Sequence, residues 1–220
     1  MVSDNLILHT DSYKQSHHLL YPAGTTYIKG YTESRGNDKE HPLYNKTVFF
    51  GLQYLLKKYL TQRVTVDMVS EAQQFLLKHF GRDFFACDEW YTVATELEGR
   101  LPIRIRAVPE GTVVPTHNLL LSVESTDTRF PWIASWVETQ LLRAVWYGTT
   151  VSSQSWFIKQ LIYAYLKKTA DNPDVEIDFK LHDFGARGVS SHESAMIGGL
   201  AHLVNFKGSD TLEAIACGVD

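Results

Sequence analysis

The sequence predicts a mixed α/β protein on three observations. "LPIRIRAVPEGTVVP" (101–115) alternates Ile103 and Ile105 with Arg104 and Arg106, the period-two pattern of a strand. "TVFFGLQYLLKKYL" (47–60) repeats Phe49, Leu52, Leu55, Leu56 and Tyr59 at helical spacing. "VEIDFKLHDFG" (175–185) reads as a strand that runs directly into a small-residue helix. The full order, β-α-β-ααα-ββ-αα-β-α, is not that of a simple doubly wound sheet. At 220 residues, 44% hydrophobic and 21% charged, the chain is long enough for a substantial core.

Taken in order, "NLILH" (5–9) predicts a short strand and "TDSYKQSHHLLY" (10–21) a helix capped by Thr10 or Asp11. Pro22 and Gly24 end it. "TTYIKGYTES" (25–34) sets Tyr27, Lys29, Tyr31 and Glu33 on one face of a strand, and "SRGNDKEHPLYN" (34–45) reads as a mobile polar loop. Three helices follow at 47–60, 65–80 and 87–99, the last stopped by Gly99. The 101–115 strand turns at 109–111 and pairs with "NLLLSVEST" (118–126) as a hairpin. Two aromatic-rich helices are expected at 128–142 and 151–168, with Trp132, Trp136, Trp146 and Trp156 in the core. The end, "SDTLEAIACGVD", reads as a helix stopping at Gly218 with nothing to finish an α/β unit, so the chain is expected to be the front part of something longer.

Chemistry concentrates in "KLHDFGARGVSSHESAMIGGLAHLVNFKGSDT" (180–211). Gly185 frees the backbone where a strand ends, and ligands of α/β proteins gather at the carboxyl ends of strands. Phe184 presents a flat ring there and Arg187 a fork of donors suited to phosphate or carboxylate. The bland alternative is a core Phe184 and an Arg187 paired with Asp183. Gly198 and Gly199 inside a helix cost about 1 kcal/mol each relative to Ala, which points to a close approach. Asp210 is either a helix N-cap or a carboxylate that accepts from a substrate NH₂, and its two oxygens allow both. Tyr13 reads as a half-buried helix residue and Arg35 as a solvated loop residue.

Several classes are excluded. A net charge of −4 argues against a nucleic-acid surface. No apolar run approaches the roughly 20 residues of a membrane span, and the first residues lack a signal peptide's basic segment. Cys87 and Cys217 have no metal-type spacing, so a reducing cytoplasm is the simplest home. "HESAM" departs from HExxH at Met196, and GxxxxGK[ST], GxGxxG and GxSxG are all missing.

With these residues in view, the chain resembles the N-terminal part of the nicotinamide phosphoribosyltransferase family, in its bacterial and phage form. The resemblance runs nearly end to end through "TDSYKQSH", "TVFFGLQYLL", "LPIRIRAVPEGTVVP", "WVETQLLRAVWY" and the 180–211 segment. The joining of "HDFG-x-RGVSS" to "HLVNFKG-[ST]-DT" is its most specific part. It implies a type II phosphoribosyltransferase fold, with an N-terminal mixed α/β domain at 1–174 and the first part of an incomplete α/β barrel at 175–220. The paired acidic residues of type I enzymes are absent.

The activity implied joins nicotinamide to 5-phosphoribosyl-1-pyrophosphate, giving nicotinamide mononucleotide and pyrophosphate in NAD salvage, with Mg²⁺ on the pyrophosphate and ATP as an activator. Carried over by residue, Phe184 stacks on the pyridine, Tyr13 of a second subunit covers its other face, and Asp210 accepts from the carboxamide. Arg187 faces the polar groups, Asp11 lies at the subunit-crossing edge, and Arg35 contacts phosphate. No catalytic residue is assigned. Family members are roughly twice this length, and their phosphorylated histidine lies beyond the position matching Asp220. A half-built barrel, inactive alone, is therefore expected. Two alternatives stand beside this reading: a nicotinate-specific transferase, and a non-catalytic ligand-binding or dimerisation fragment.

Overall fold

The computed structural model describes residues 4–35 and 45–219, so most of the loop read at 34–45 lies outside the described residues. Its strands are β1 (Lys29–Glu33), β2 (Lys46–Val48), β3 (Ile103–Ala107), β4 (Val113–Pro115), β5 (Leu119–Ser125), β6 (His182–Asp183) and β7 (Gly208–Ser209). Its helices are α1 (Leu52–Leu55), α2 (Val66–Phe80), α3 (Cys87–Thr95), α4 (Ile133–Trp136), α5 (Glu138–Thr169), α6 (Pro173–Glu176), α7 (His192–Leu203) and α8 (Leu212–Val219). The mixed α/β class is therefore observed. Two compact units emerge. One comprises Met1–Thr32, Gln53–Ala107 and Leu121–Arg143; the other comprises Glu33–Leu52, Val108–Leu120 and Ala144–Asp220.

The first unit is built on the sheet of order β1-β5-β3. β3 and β5 pair antiparallel from Ile103↔Ser125 to Ala107↔Leu121, the hairpin read from the alternation. Its helices follow their end signals. Thr65 Oγ1 accepts from Met68 N at 3.2 Å to cap α2, and Gly81 ends it in the left-handed region at φ 65°. Val69, Ala72 and Leu76 recur at helical spacing and are buried. Trp90 is fully buried and meets Trp132 and Trp136 edge-on at 5.4 and 5.0 Å, so apolar area and ring geometry act together.

Several elements differ from the sequence reading. "NLILH" forms a 3₁₀ turn, Leu6–Leu8, which Asn5 opens by accepting from Ile7 N through Oδ1 at 3.1 Å, and both Leu6 and Ile7 are fully buried. The 10–21 segment is also 3₁₀, Ser12–Leu20, and its cap position Asp11 makes no side-chain cap bond. Thr47 and Val48 belong to β2 and not to a helix, since Gly51 at φ 111° interrupts the chain before Leu52. α3 ends at Thr95, and Gly99, at φ 73°, closes the following turn.

The two helices expected at 128–142 and 151–168 are instead the short α4 and the single 32-residue α5. Trp132 and Trp136 are buried, but Trp146 is 61% exposed and Trp156 half-buried. The strand read at 175–185 shrinks to β6, because Pro173 opens α6 and a 3₁₀ turn, Ile177–Phe179, follows.

One polar centre in the first unit carries a pH prediction. Glu124 Oε2 accepts from Tyr27 Oη at 2.5 Å, and Oε1 accepts from Arg104 and Arg106 at 3.0 and 2.9 Å. The Tyr27 hydroxyl first, and the two guanidinium groups after it, hold the Glu124 carboxyl down at about 2. A depressed carboxyl stabilises the fold fully above its ordinary value near 4.5 and loses that contribution as pH falls through about 2. Glu124→Gln is therefore expected to lower the thermal midpoint at pH 7, with the gap to the unaltered chain closing between pH 4.5 and pH 2. A gap that stays constant across that range contradicts the assignment.

Candidate functional site

The second unit contains a parallel strand pair, β6 and β7, joined through α7 as parallel strands require, in the register His182↔Gly208 and Asp183↔Ser209. Around β6 and the turn that follows it lies a cavity of about 260 Å³, lined by Tyr147, Leu181, His182, Phe184, Gly198 and His202 among others. It is smaller than the roughly 300 Å³ at which pockets for drug-sized ligands begin, which suits a single-ring molecule.

Asp183 organises the site. Its Oδ2 accepts from Ser209 Oγ at 2.8 Å and Thr211 Oγ1 at 2.7 Å, and its Oδ1 accepts from Gly185 N at 2.8 Å. Burial pushes the carboxyl up, but the donations from Thr211, Gly185 and Ser209 outweigh it and hold Asp183 below the ordinary carboxylate value. The two glycines of α7 make room as the sequence anticipates. A Cβ on Gly199 would stand 2.5 Å from Ala214 Cβ and 3.0 Å from Asp183 Oδ2, and one on Gly198 would stand 2.7 Å from Tyr147 Oη. Burial, then the Asp183 charge, raises the Tyr147 phenol.

His202 forms part of the cavity wall as a neutral ring. Burial lowers its pKa against the pull of Asp183, Nε2 lies 3.1 Å from Gly208 O, and Nδ1 lies 3.2 Å from Ser155 Oγ. A carbonyl only accepts, so Nε2 carries the proton and Nδ1 accepts from Ser155.

Of the residues singled out in the sequence, Phe184 lies on the cavity with its ring 67% exposed, which removes the core alternative. Arg187 is exposed on the 3₁₀ turn Gly185–Gly188, while the Asp183 oxygens are taken up by Ser209, Thr211 and Gly185. Asp210 stands before Thr211 and α8. Ser209 Oγ accepts from Thr211 N at 3.1 Å, and Asp210 Oδ1 meets His182 Nε2 at 3.1 Å. The His182 ring also lies 4.7 Å from the Phe184 ring, tilted by 43°. Phe184 and Asp210 are thus brought to one imidazole.

Arg35 belongs to the same unit and is exposed just beyond β1. Tyr13 and Asp11 belong to the first unit. Tyr13 is 55% exposed, 5.2 Å from the His17 ring, and Asp11 Oδ2 accepts from Thr139 Oγ1 at 2.5 Å. Lys14, buried beside Tyr13, pairs with Glu138. Tyr147 and the hub role of Asp183 were not assigned from sequence; the two adjacent glycines of α7 were the signal for the first, since something had to approach that closely. Among the described residues no three His, Cys, Asp or Glu side chains converge as metal donors, and no helix is long and apolar enough to cross a membrane.

Comparison with known proteins follows the two ends of the chain. The family model for the nicotinamide phosphoribosyltransferase N-terminal domain matches residues 5–105, and that of the nicotinate phosphoribosyltransferase family matches residues 179–218. The chain is 52% identical over 96% of its length to "Nicotinamide phosphoribosyltransferase" of Xanthomonas campestris pv. campestris, covering 44% of that protein. It is 30% identical over 93% of its length to the protein of the same name from Acinetobacter baylyi, covering 42%. It therefore spans less than half the length of these relatives. The crystal structure of human nicotinic acid phosphoribosyltransferase superposes over 93% of the chain and 36% of its own length, with a TM-score of 0.63 at 20% identity. That likeness establishes the type II phosphoribosyltransferase fold.

Proposed function

We propose that the chain belongs to the nicotinamide phosphoribosyltransferase family, whose N-terminal domain model matches residues 5–105, and that the protein joins nicotinamide to 5-phosphoribosyl-1-pyrophosphate. The observation that carries the reading is the 52% identity over 96% of the chain. In the reaction the pyridine nitrogen forms a bond to ribose C1 as the bond from C1 to the pyrophosphate oxygen breaks. The pyrophosphate leaves with the electron pair, and the product is nicotinamide mononucleotide. The ring nitrogen is itself the nucleophile, so the protein's task is to orient a flat ring against the ribose.

In this reading Phe184 stacks on one face of the pyridine and Asp210 accepts from the carboxamide NH₂. Tyr13 of a second copy covers the other face, which makes the working form a homodimer, and Asp11 sits at that edge. Arg187 faces the substrate's polar groups and Arg35 its phosphates. Mg²⁺ accompanies the pyrophosphate of the substrate in the same reading. Activation by ATP, a cytoplasmic home and the division of the chain at 174/175 belong to the same proposal. The free thiols of Cys87 and Cys217 fit a reducing compartment.

Titration calorimetry of the 220-residue chain with nicotinamide tests the reading. Saturable binding without turnover is expected, and binding of nicotinate in place of nicotinamide overturns it in favour of a nicotinate-specific transferase. A second measurement targets selectivity. A carboxylate ligand facing Asp210 is repelled, so Asp210→Asn is expected to reduce the preference for nicotinamide over nicotinate by about ten-fold, or about 1.4 kcal/mol. An unchanged preference removes Asp210 from the amide.

A further inference from the structure

His182 joins the two halves of the proposed base site. Its Nε2 lies 3.1 Å from Asp210 Oδ1, and its ring lies 4.7 Å from that of Phe184. Phe184 follows β6 and Asp210 follows β7, so these residues come from segments that only the β6–β7 pairing brings together. The ring can lie between them because position 208, its partner across the pair, has no side chain. A Cβ on Gly208 would stand 2.4 Å from His182 Nδ1 and 3.1 Å from its Cε1. A contact that short with a ring wedged against Phe184 forces the imidazole to move.

We infer that His182 is a positioning residue for amide recognition. By donating from Nε2 to Asp210 Oδ1 it fixes the carboxylate plane and leaves Oδ2 for the ligand's NH₂, while its ring braces Phe184 at a set distance from that oxygen. A carboxylate on an exposed aspartate otherwise turns freely about its last torsion, and an acceptor that must first be ordered binds more weakly than one already aimed. His182 also lines the cavity, and the part assigned to it here is exerted through Asp210 and Phe184. The inference rests on the reading of the site as a nicotinamide site.

The test separates donor from ring. His182→Phe keeps a flat ring beside Phe184 and removes the donor; His182→Gln keeps a donor and removes the ring. Calorimetry with nicotinamide and with 3-acetylpyridine, which has the same ring and carbonyl but no NH₂, reads the amide contact alone. His182→Phe is expected to weaken nicotinamide at least ten-fold with 3-acetylpyridine changed by less than about three-fold, and His182→Gln to restore most of the difference. Gly208→Ala, which displaces the imidazole and with it the brace on Phe184, is expected to weaken nicotinamide more than 3-acetylpyridine, and it stands in for His182→Phe if that variant does not fold. Equal weakening of both ligands in His182→Phe and Gly208→Ala, or an unchanged ratio, overturns the positioning role and leaves the functional reading in place. Failure of the unaltered chain to bind nicotinamide overturns both.

Discussion

Phe184→Ala is expected to weaken nicotinamide binding by about 10- to 100-fold while leaving the stability of the fold within about 0.5 kcal/mol. The two halves of that expectation have separate causes. Stacking of an aromatic base on a side-chain ring contributes about 1–3 kcal/mol, which sets the loss of affinity. The ring is 67% exposed, so truncation opens no cavity and removes little buried area, and substitutions at such surface positions usually stay within 0.5 kcal/mol.

A core phenylalanine would behave in the opposite way, costing about 3–5 kcal/mol on truncation. Phe184→Leu sharpens the test, because it keeps much of the apolar area and loses the flat face. Calorimetry should place it close to the alanine variant, with Phe184→Tyr near the unaltered chain. A leucine variant that binds normally would mean that Phe184 serves only as apolar surface. Denaturant unfolding of the same proteins checks the other half.

The reason Phe184 could be picked out in the sequence is also the reason other parts could not. "HDFG" and "KGSD" each place a chemical group next to a residue that ends a strand, and that information is local. The α2 boundaries were legible for the same reason, since Thr65 and Gly81 act on backbone groups within a turn of themselves. The β3–β5 hairpin needed only one turn between two alternating runs.

What escaped was non-local. Gly148 sits inside α5 because the Phe50 backbone passes close by, and a Cβ there would stand 3.0 Å from Phe50 O; in the sequence the same glycine lies in the gap left between two expected helices. β4 pairs with β2, far away along the chain, and takes Thr47 and Val48 out of a segment whose apolar spacing is helical. Tyr147 reaches the cavity from α5, and nothing near it in sequence marks it as facing Asp183. Asp183 itself looked like a partner for Arg187, four residues on along the chain, when its actual partners are two hydroxyls and an amide, two of them delivered by the β6–β7 pairing.

That arrangement sets the second large effect. Asp183→Ala is expected to destabilise the second unit by about 2–3 kcal/mol and to weaken ligand binding as well, in contrast to Phe184→Ala. Thr211 is 1% exposed, so its hydroxyl cannot turn to water when the carboxylate is removed, and an unsatisfied buried donor costs about 1–3 kcal/mol. Gly185 N loses its acceptor too, and with it the turn that starts the Phe184–Gly188 segment.

Asp183→Asn separates shape from charge. The amide fills the same space, but its NH₂ must face either the two hydroxyls or Gly185 N, so one side of the network is left facing a donor. An intermediate loss is expected. Thr211→Val provides the complementary measurement, because it removes the buried hydroxyl along with the need to satisfy it. In the Asp183→Ala background Thr211→Val should therefore recover part of the lost stability, a coupling that two independent sites would not show.

The sign with pH follows from the depressed carboxyl. The stabilisation holds above the ordinary aspartate value near 3.8 and fades as pH falls through the lower value of the folded chain, so the alanine and unaltered chains should converge in acid. Denaturant unfolding at pH 7 and in acid measures this, and hydrogen exchange at the Asp210 and Thr211 amides, bonded to Asp183 O and Ser209 Oγ, locates it. If stability and exchange both stay unchanged at pH 7, Asp183 does not hold β6 to β7, and the spacing of Phe184 from Asp210 must be set by something other than this carboxylate.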